Sequence, residues 1–251
     1  MPIIEVANLV KHYGNFVAVN DLNFEVEEGE IFGLLGPNGV GKTTTLEIIE
    51  TLRPKTSGKV RVAGFDIDTH PQAIKQLIGV QLQSSGFYPN LNLLELIDLF
   101  SGLYNVTVDS RQLLRKVGLE DKAKNKIKQL SGGQKQRFSI ASTIINQPQI
   151  IFLDEPTTGL DPQSRRNLWE LIKQLREQGT TVVLTTHYMD EAEELCDRVA
   201  IMDGGKIIAT GSPEMLIDEL LATGFTKSRR AREANLEDVF LGLTGKELRE
   251  T

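Results

Sequence analysis

Cysteine is almost missing from this chain: Cys196 is the single one in 251 residues, which excludes an intramolecular disulfide. Long apolar runs are missing as well. The longest ones, such as Ile150-Ile151-Phe152-Leu153, end after a few residues, far short of the ~20 that a membrane-spanning helix requires. A basic excess is also absent, since 28 lysines and arginines face 34 acidic residues for a formal charge of −6. That balance argues against a protein that coats nucleic acid, so no nucleic-acid partner is expected and any anionic ligand must be gripped by a local device. The opening Met1-Pro2-Ile3-Ile4-Glu5 has neither the basic start nor the apolar core of a signal peptide. These absences predict a reducing, cytoplasmic setting. What is present is a globular composition, 40% hydrophobic and 25% charged, on a length between one large domain and two small ones.

Short β-rich runs come first, over 3–8, 16–19 and 22–26, with Gly14-Asn15 and Glu28-Gly29 as turn signals. They predict an antiparallel β-layer. Ile31-Phe32-Gly33-Leu34-Leu35 reads as a strand buried on both faces, leading through glycines into a helix over 43–52. Two further buried-strand runs, 150–153 and 181–185, bracket a helix over 163–177, with Gly179 placed as its C-terminal cap. Strand and helix alternating in this way predict an α/β fold with a parallel sheet. Between Gln83 and Pro148 the apolar residues recur at helical spacing without strand signals, which predicts an inserted helical subdomain. Residues 199–202 and 206–209, joined through Asp203-Gly204-Gly205, read as a late hairpin. There is no internal repeat and no low-complexity tract.

Gly36-Pro37-Asn38-Gly39-Val40-Gly41-Lys42-Thr43 fits the phosphate-loop pattern G-x-x-x-x-G-K-[ST], and it lies between a buried strand and a helix, as the motif requires. Glycines let the backbone take positive φ and approach a phosphate, so that N–H groups and the helix N-terminus point at its oxygens. Lys42 adds a point charge and Thr43 a hydroxyl for Mg²⁺. A nucleoside triphosphate is the expected ligand; GTPases, kinases, helicases and other ATPases all remain open on this motif alone. Asp154, at the end of the 150–153 run, is a carboxylate suited to completing the Mg²⁺ site. Glu155 follows and, pointing elsewhere, is suited to polarising a water.

Leu130-Ser131-Gly132-Gly133-Gln134-Lys135-Gln136-Arg137 supplies a second glycine-containing helix start just before the Asp154 strand. This run resembles the signature motif of the ATP-binding cassette (ABC) ATPases, and nearly the whole chain fits the resemblance. The resemblance implies a P-loop NTPase core with an antiparallel β-layer over 1–83 and 149–221. It further implies a helical subdomain over 84–148 and a C-terminal tail over 222–251. It assigns Tyr13 to the aromatic that stacks on adenine and Gly36, Pro37, Asn38, Gly39, Val40, Gly41, Lys42, Thr43 and Thr44 to the Walker A loop. Gln83, favoured over Gln81 by family spacing, matches the Q-loop glutamine that touches Mg²⁺ and the attacking water; Ser84-Ser85 follow where many members are acidic. Asp154 matches the Walker B aspartate, Glu155 the catalytic glutamate, Asp161 the D-loop aspartate and His187 the switch histidine. His12 and His70 have no such companions and read as surface residues, and Cys196 as a small core residue.

In this family ATP sits between one subunit's P-loop and the signature motif of another, so Ser131, Gly132, Gly133 and Gln134 would complete the site of a second copy or a homologous cassette. The strings Thr158 to Trp169 and Asn235 to Leu241 resemble the ABC-2 type exporter branch. That implies a separate integral-membrane permease, with the chain held peripherally on the cytoplasmic face, and Gly86-Phe87-Tyr88-Pro89 with the following leucines as a groove for it. The alternative is a cytosolic ABC ATPase that remodels a soluble complex, of the iron–sulfur assembly kind. A basic group, Lys227, Arg229, Arg230 and Arg232, reads as a solvated linker or a contact with anionic headgroups.

Overall fold

The computed structural model of the chain describes residues 1–81, 86–225, 239 and 242–243. Gln83 and the basic group of the tail therefore lie outside the described residues. The chain opens with β1 (Pro2–Tyr13) and β2 (Phe16–Glu27), an antiparallel pair turned at Gly14. The sequence suggested a break between 19 and 22, but β2 runs on through it. The reason is a bulge: Asn8 and Asp21 take positive φ, and the Asn8 side-chain amide donates to Asp21 Oδ1 at 2.9 Å, so the extra residue is absorbed without a turn. Beyond β2 lie β3 (Ile31–Leu35), α1 (Lys42–Ile49), β4 (Ser57–Val62) and β5 (Phe65–Asp66). The first sheet has the order β2-β1-β4-β5. α1 stops short of the expected Leu52 because Thr51 takes φ 62.

The chain continues through α2 (Pro71–Leu77), β6 (Ile78–Gln81), α3 (Leu93–Tyr104), α4 (Ser110–Lys116) and α5 (Gly132–Thr143). It then passes through β7 (Ile150–Asp154), α6 (Pro162–Glu177), β8 (Thr181–Thr186) and α7 (Met189–Leu195). β9 (Arg198–Asp203), β10 (Lys206–Gly211) and α8 (Pro213–Ala222) close the described fold. The second sheet has the order β10-β9-β3-β8-β7-β6, parallel except for the β9–β10 hairpin at its edge.

Alternation along these strands divides the core. Ile150, Phe152, Val183, Phe32 and Leu34 face one side, with α1 and the antiparallel sheet. Ile151, Leu153, Val182, Leu184, Ile31 and Leu35 face the other, with residues of α3 to α8. Both faces are covered, which explains why β3, β7 and β8 carry continuous apolar runs. Leu93, Leu96 and Ile97 of α3 are fully buried in this helical side, and Phe87 packs edge-on against Phe138 at 5.1 Å. Close approach also demands glycine at one point: a Cβ on Gly79 of β6 would stand 2.0 Å from the Thr143 carbonyl oxygen at the end of α5. Gly79→Ala is accordingly expected to destabilise the protein by about 1–3 kcal/mol or more, read as a lowered melting temperature; an unchanged melt would mean that α5 can simply move away.

Candidate nucleotide site

β3 is buried along its whole length and ends at the loop 36–41. Gly36, Gly39 and Gly41 have φ of 149, 83 and 103. At two of them there is also no room for a side chain, since a Cβ would meet the Met202 oxygen (from Gly36) or the Ala18 oxygen (from Gly41) at 2.4 Å. β9 and β2 thus press the loop into shape from outside. Gly41 is the N-cap of α1 and no side chain caps that end, so its first N–H groups remain available to an anion. Asn38 and Gly39 form the exposed tip, Val40 leans on the core beneath, and Thr44 is half-buried on the first turn.

Lys42 is only 5% exposed. Its ammonium donates to the Gly36 carbonyl at 2.7 Å and the Pro37 carbonyl at 3.1 Å, and Glu155 Oε1 lies 3.9 Å away. Burial pulls its pKa down while Glu155 and Asp154 push it back up. Thr43 Oγ1 donates to both Asp154 carboxylate oxygens, at 3.1 and 3.3 Å, and the Thr185 hydroxyl also donates to Asp154. Glu155 sits past the end of β7 at φ 48, a costly conformation for a residue with a side chain, held by N–H bonds to the Thr185 carbonyl and hydroxyl. That turn swings its carboxylate away from Asp154 and toward His187, whose Nδ1 lies 3.3 Å from Glu155 Oε1 without a well-aligned hydrogen bond. Thr158 Oγ1 donates to the other oxygen at 3.2 Å.

Lys42, Thr43, Asp154, Glu155 and His187 are therefore gathered in one place by three neighbouring strand ends. Tyr13 stands at the end of β1, with the Arg53 guanidinium 5.5 Å and the Lys11 ammonium 5.1 Å from its ring centre. Glu47 of α1 pairs with Arg53 and ties Tyr13 to the phosphate-loop helix. Ser131 caps α5 in a capping box with Gln134, whose side chain accepts from Ser131 N at 3.0 Å. Gly132 and Gly133 face Leu160 and Ser164 rather than the 36–44 loop. Asp161 caps α6, and the Ser164 hydroxyl together with backbone N–H groups holds its pKa down. Ser131 to Gln134 and Asp161 are thus neighbours of each other and stand outside the Lys42 cluster.

Thr43 and Asp154 place hard oxygens together, as Mg²⁺ requires. Among the described residues no group of three or more His, Cys, Asp or Glu could hold a metal by itself. That fits an ion that takes one or two protein oxygens and completes its shell with phosphate and water.

Sequence reasoning missed Thr185 and Glu50. Thr185 was readable beside His187; Glu50 had no signal, since an acid in a helix ordinarily faces water. Its carboxyl is pushed up to about 8, first by burial, then by the charges of Asp154 and Glu47. The unfolded carboxyl ionises near 4.5, so the stability present below that pH is lost as pH rises toward about 8, and the loss then levels off. Glu50→Gln is expected to melt several degrees above the parent near pH 8, with the gap closing near pH 5; no gain at the higher pH would mean that Glu50 is already ionised in the fold.

Residues 19–158, more than half of the chain, match the ABC transporter family. A Nod factor export ATP-binding protein I of Cupriavidus pinatubonensis is 36% identical over 99% of this chain and 92% of its own length. A linearmycin resistance ATP-binding protein of Bacillus subtilis is 40% identical over 87% and 72%. Among solved structures, an ATP binding subunit of an ABC transporter superposes with a TM-score of 0.82 at 26% identity, covering 96% of this chain and 99% of that one. A dimeric post-hydrolysis state of an ATP-binding cassette, bound to ADP and Pi, gives 0.75 at 30% identity, covering 83% and 98%. With the match running from the strand that braces the phosphate loop through Asp154 and Glu155, the chain belongs to the ABC transporter family as one of its ATP-binding cassettes.

Proposed function

We propose that this cassette hydrolyses ATP within a head-to-tail pair of cassettes and drives export through a separate ABC-2 type permease. The observation that carries the chemistry is the convergence of Lys42, Thr43, Asp154, Glu155 and His187 on the mouth of the loop 36–41. The loop's N–H groups and Lys42 bind the β- and γ-phosphates. Thr43 and Asp154 hold Mg²⁺, which when bound neutralises phosphate charge; Gln83 is assigned to the same ion. Glu155 orients and deprotonates the attacking water, while Lys42 and His187 stabilise charge that develops on the γ-phosphoryl group. Tyr13 stacks on adenine, with Arg53, held by Glu47 of α1, fixing its ring.

Ser131 to Gln134, turned away from their own chain's loop and beside Asp161, suit a site completed by a second cassette. The dimeric neighbour bound to ADP and Pi supports that reading. Export is supported by the names of the relatives, which are export and resistance ATP-binding proteins. Among the described residues no helix is long and apolar enough to cross a membrane. Tyr88, 61% exposed beside the half-buried Phe87, is an apolar feature that the helical side offers a permease partner. Affinity purification of the tagged chain from detergent-solubilised membranes tests the export reading. Recovery of a multi-span subunit in stoichiometric amount is the expected result, and recovery of soluble partners alone would sink the export assignment in favour of a cytosolic remodelling ATPase.

A further inference from the structure

Glu191 of α7 is a charged residue that the chemistry above leaves unused, and it is fully buried. Three segments converge on it. Trp169 of α6 donates its indole N–H to Glu191 Oε1 at 3.1 Å. The hydroxyls of Thr157 and Thr186 both lie close enough to favour the charged carboxylate, against a burial that raises its pKa. Thr157 belongs to the 155–161 loop, between Glu155 and Asp161, and Thr186 immediately precedes His187. Glu191 Oε2 and Thr157 Oγ1 are both buried without a well-aligned hydrogen bond, and an unmade bond between facing buried groups biases the loop toward the arrangement that makes it.

A second link runs in parallel. Arg165, on the first turns of α6, stacks its guanidinium 4.6 Å from the Tyr188 ring, and Tyr188 in turn lies 4.1 Å from the His187 ring. The start of α6 is thereby fixed to the histidine from outside, while Glu191 fixes it from within.

We propose that Glu191 is a positioning residue that ties the 155–161 loop to His187, so that docking Asp161 against a second cassette and presenting His187 to the γ-phosphate become a single movement. The proposal rests on the roles given above to Asp161 and His187. Burial without solvent access makes the tie stiff: any shift of the loop must carry α7 with it or break the cluster.

The test uses the full chain with Glu191→Gln, Thr157→Val, their double variant, and Glu155→Gln as a reference. Glu191→Gln keeps shape and an acceptor for Trp169. It is expected to lower kcat for ATP about ten-fold at unchanged KM, with a melting temperature near that of the parent. Thr157→Val is expected to lower kcat by a similar factor, and the double variant no further than either alone. Wild-type kcat in Glu191→Gln, a loss that tracks the melting temperature, or independent multiplication of the two effects would overturn the coupling. If Glu155→Gln also turned over normally, the site reading itself would have failed; if Glu155→Gln is dead while Glu191→Gln is normal, the coupling alone has failed.

Discussion

Glu155→Gln is expected to bind ATP with little change, to lose turnover by about 10²–10⁴-fold, and to accumulate as an ATP-bound dimer. The amide is nearly isosteric, so the left-handed turn at 155 and its bonds to Thr185 persist, and one side-chain oxygen remains to accept from Thr158. What disappears is the carboxylate to which the proposed mechanism gives the water's proton, 3.9 Å from the Lys42 ammonium and 3.3 Å from His187. In the proposed cycle, binding energy is then still expected to close the pair of cassettes, while the hydrolysis that would reopen it is blocked. Phosphate release and size-exclusion chromatography with ATP and Mg²⁺ read both effects. Normal hydrolysis by this variant would remove Glu155 from the role assigned to it.

Lys42→Met should fail one step earlier. The lysine is a buried point charge whose two backbone bonds, to Gly36 and Pro37, keep it aimed along the loop. Charge-assisted bonds of this kind contribute about 1.5–3 kcal/mol each. Losing the cation is therefore expected to weaken ATP binding by roughly 100-fold and to abolish the rise in melting temperature that the nucleotide gives the parent. Methionine fills the aliphatic space, so the fold itself should survive. The two variants separate cleanly in one assay: Glu155→Gln keeps the nucleotide-dependent stabilisation and Lys42→Met loses it. If Lys42→Met were stabilised by ATP as the parent is, the glycine loop and helix N-terminus would be sufficient for binding and the lysine would act later.

Much of this site could be read from the chain because its parts are local. The phosphate loop is a contiguous string between two recognisable elements, and Asp154 and His187 each follow an unmistakable buried strand. Elements with weaker local signals were harder. β4 and β5 are short and half-exposed, α2 depends on Pro71 at its first turn, and β6 is a four-residue run that only its pairing with β7 makes a strand. The two runs in β2 looked like separate strands because a bulge, unlike a turn, depends on the partner strand's residues. Glu50 and Glu191 were unreadable for a related reason. An acid in a helix is ordinarily solvated, and only the packing of other elements over these positions makes them buried.

The sequence by itself determined the parallel α/β core, the phosphate loop with its lysine and hydroxyl, the carboxylates at the strand end and the family, because each is written in neighbouring residues whose chemistry admits few other uses. The tertiary structure alone decided that Glu155 leans toward His187 and away from Asp154, and that Arg53 braces Tyr13. It also decided that Thr157, Trp169 and Thr186 meet at Glu191. Those relations join residues far apart in the chain, and only burial and the register of the sheet bring their side chains within reach of one another.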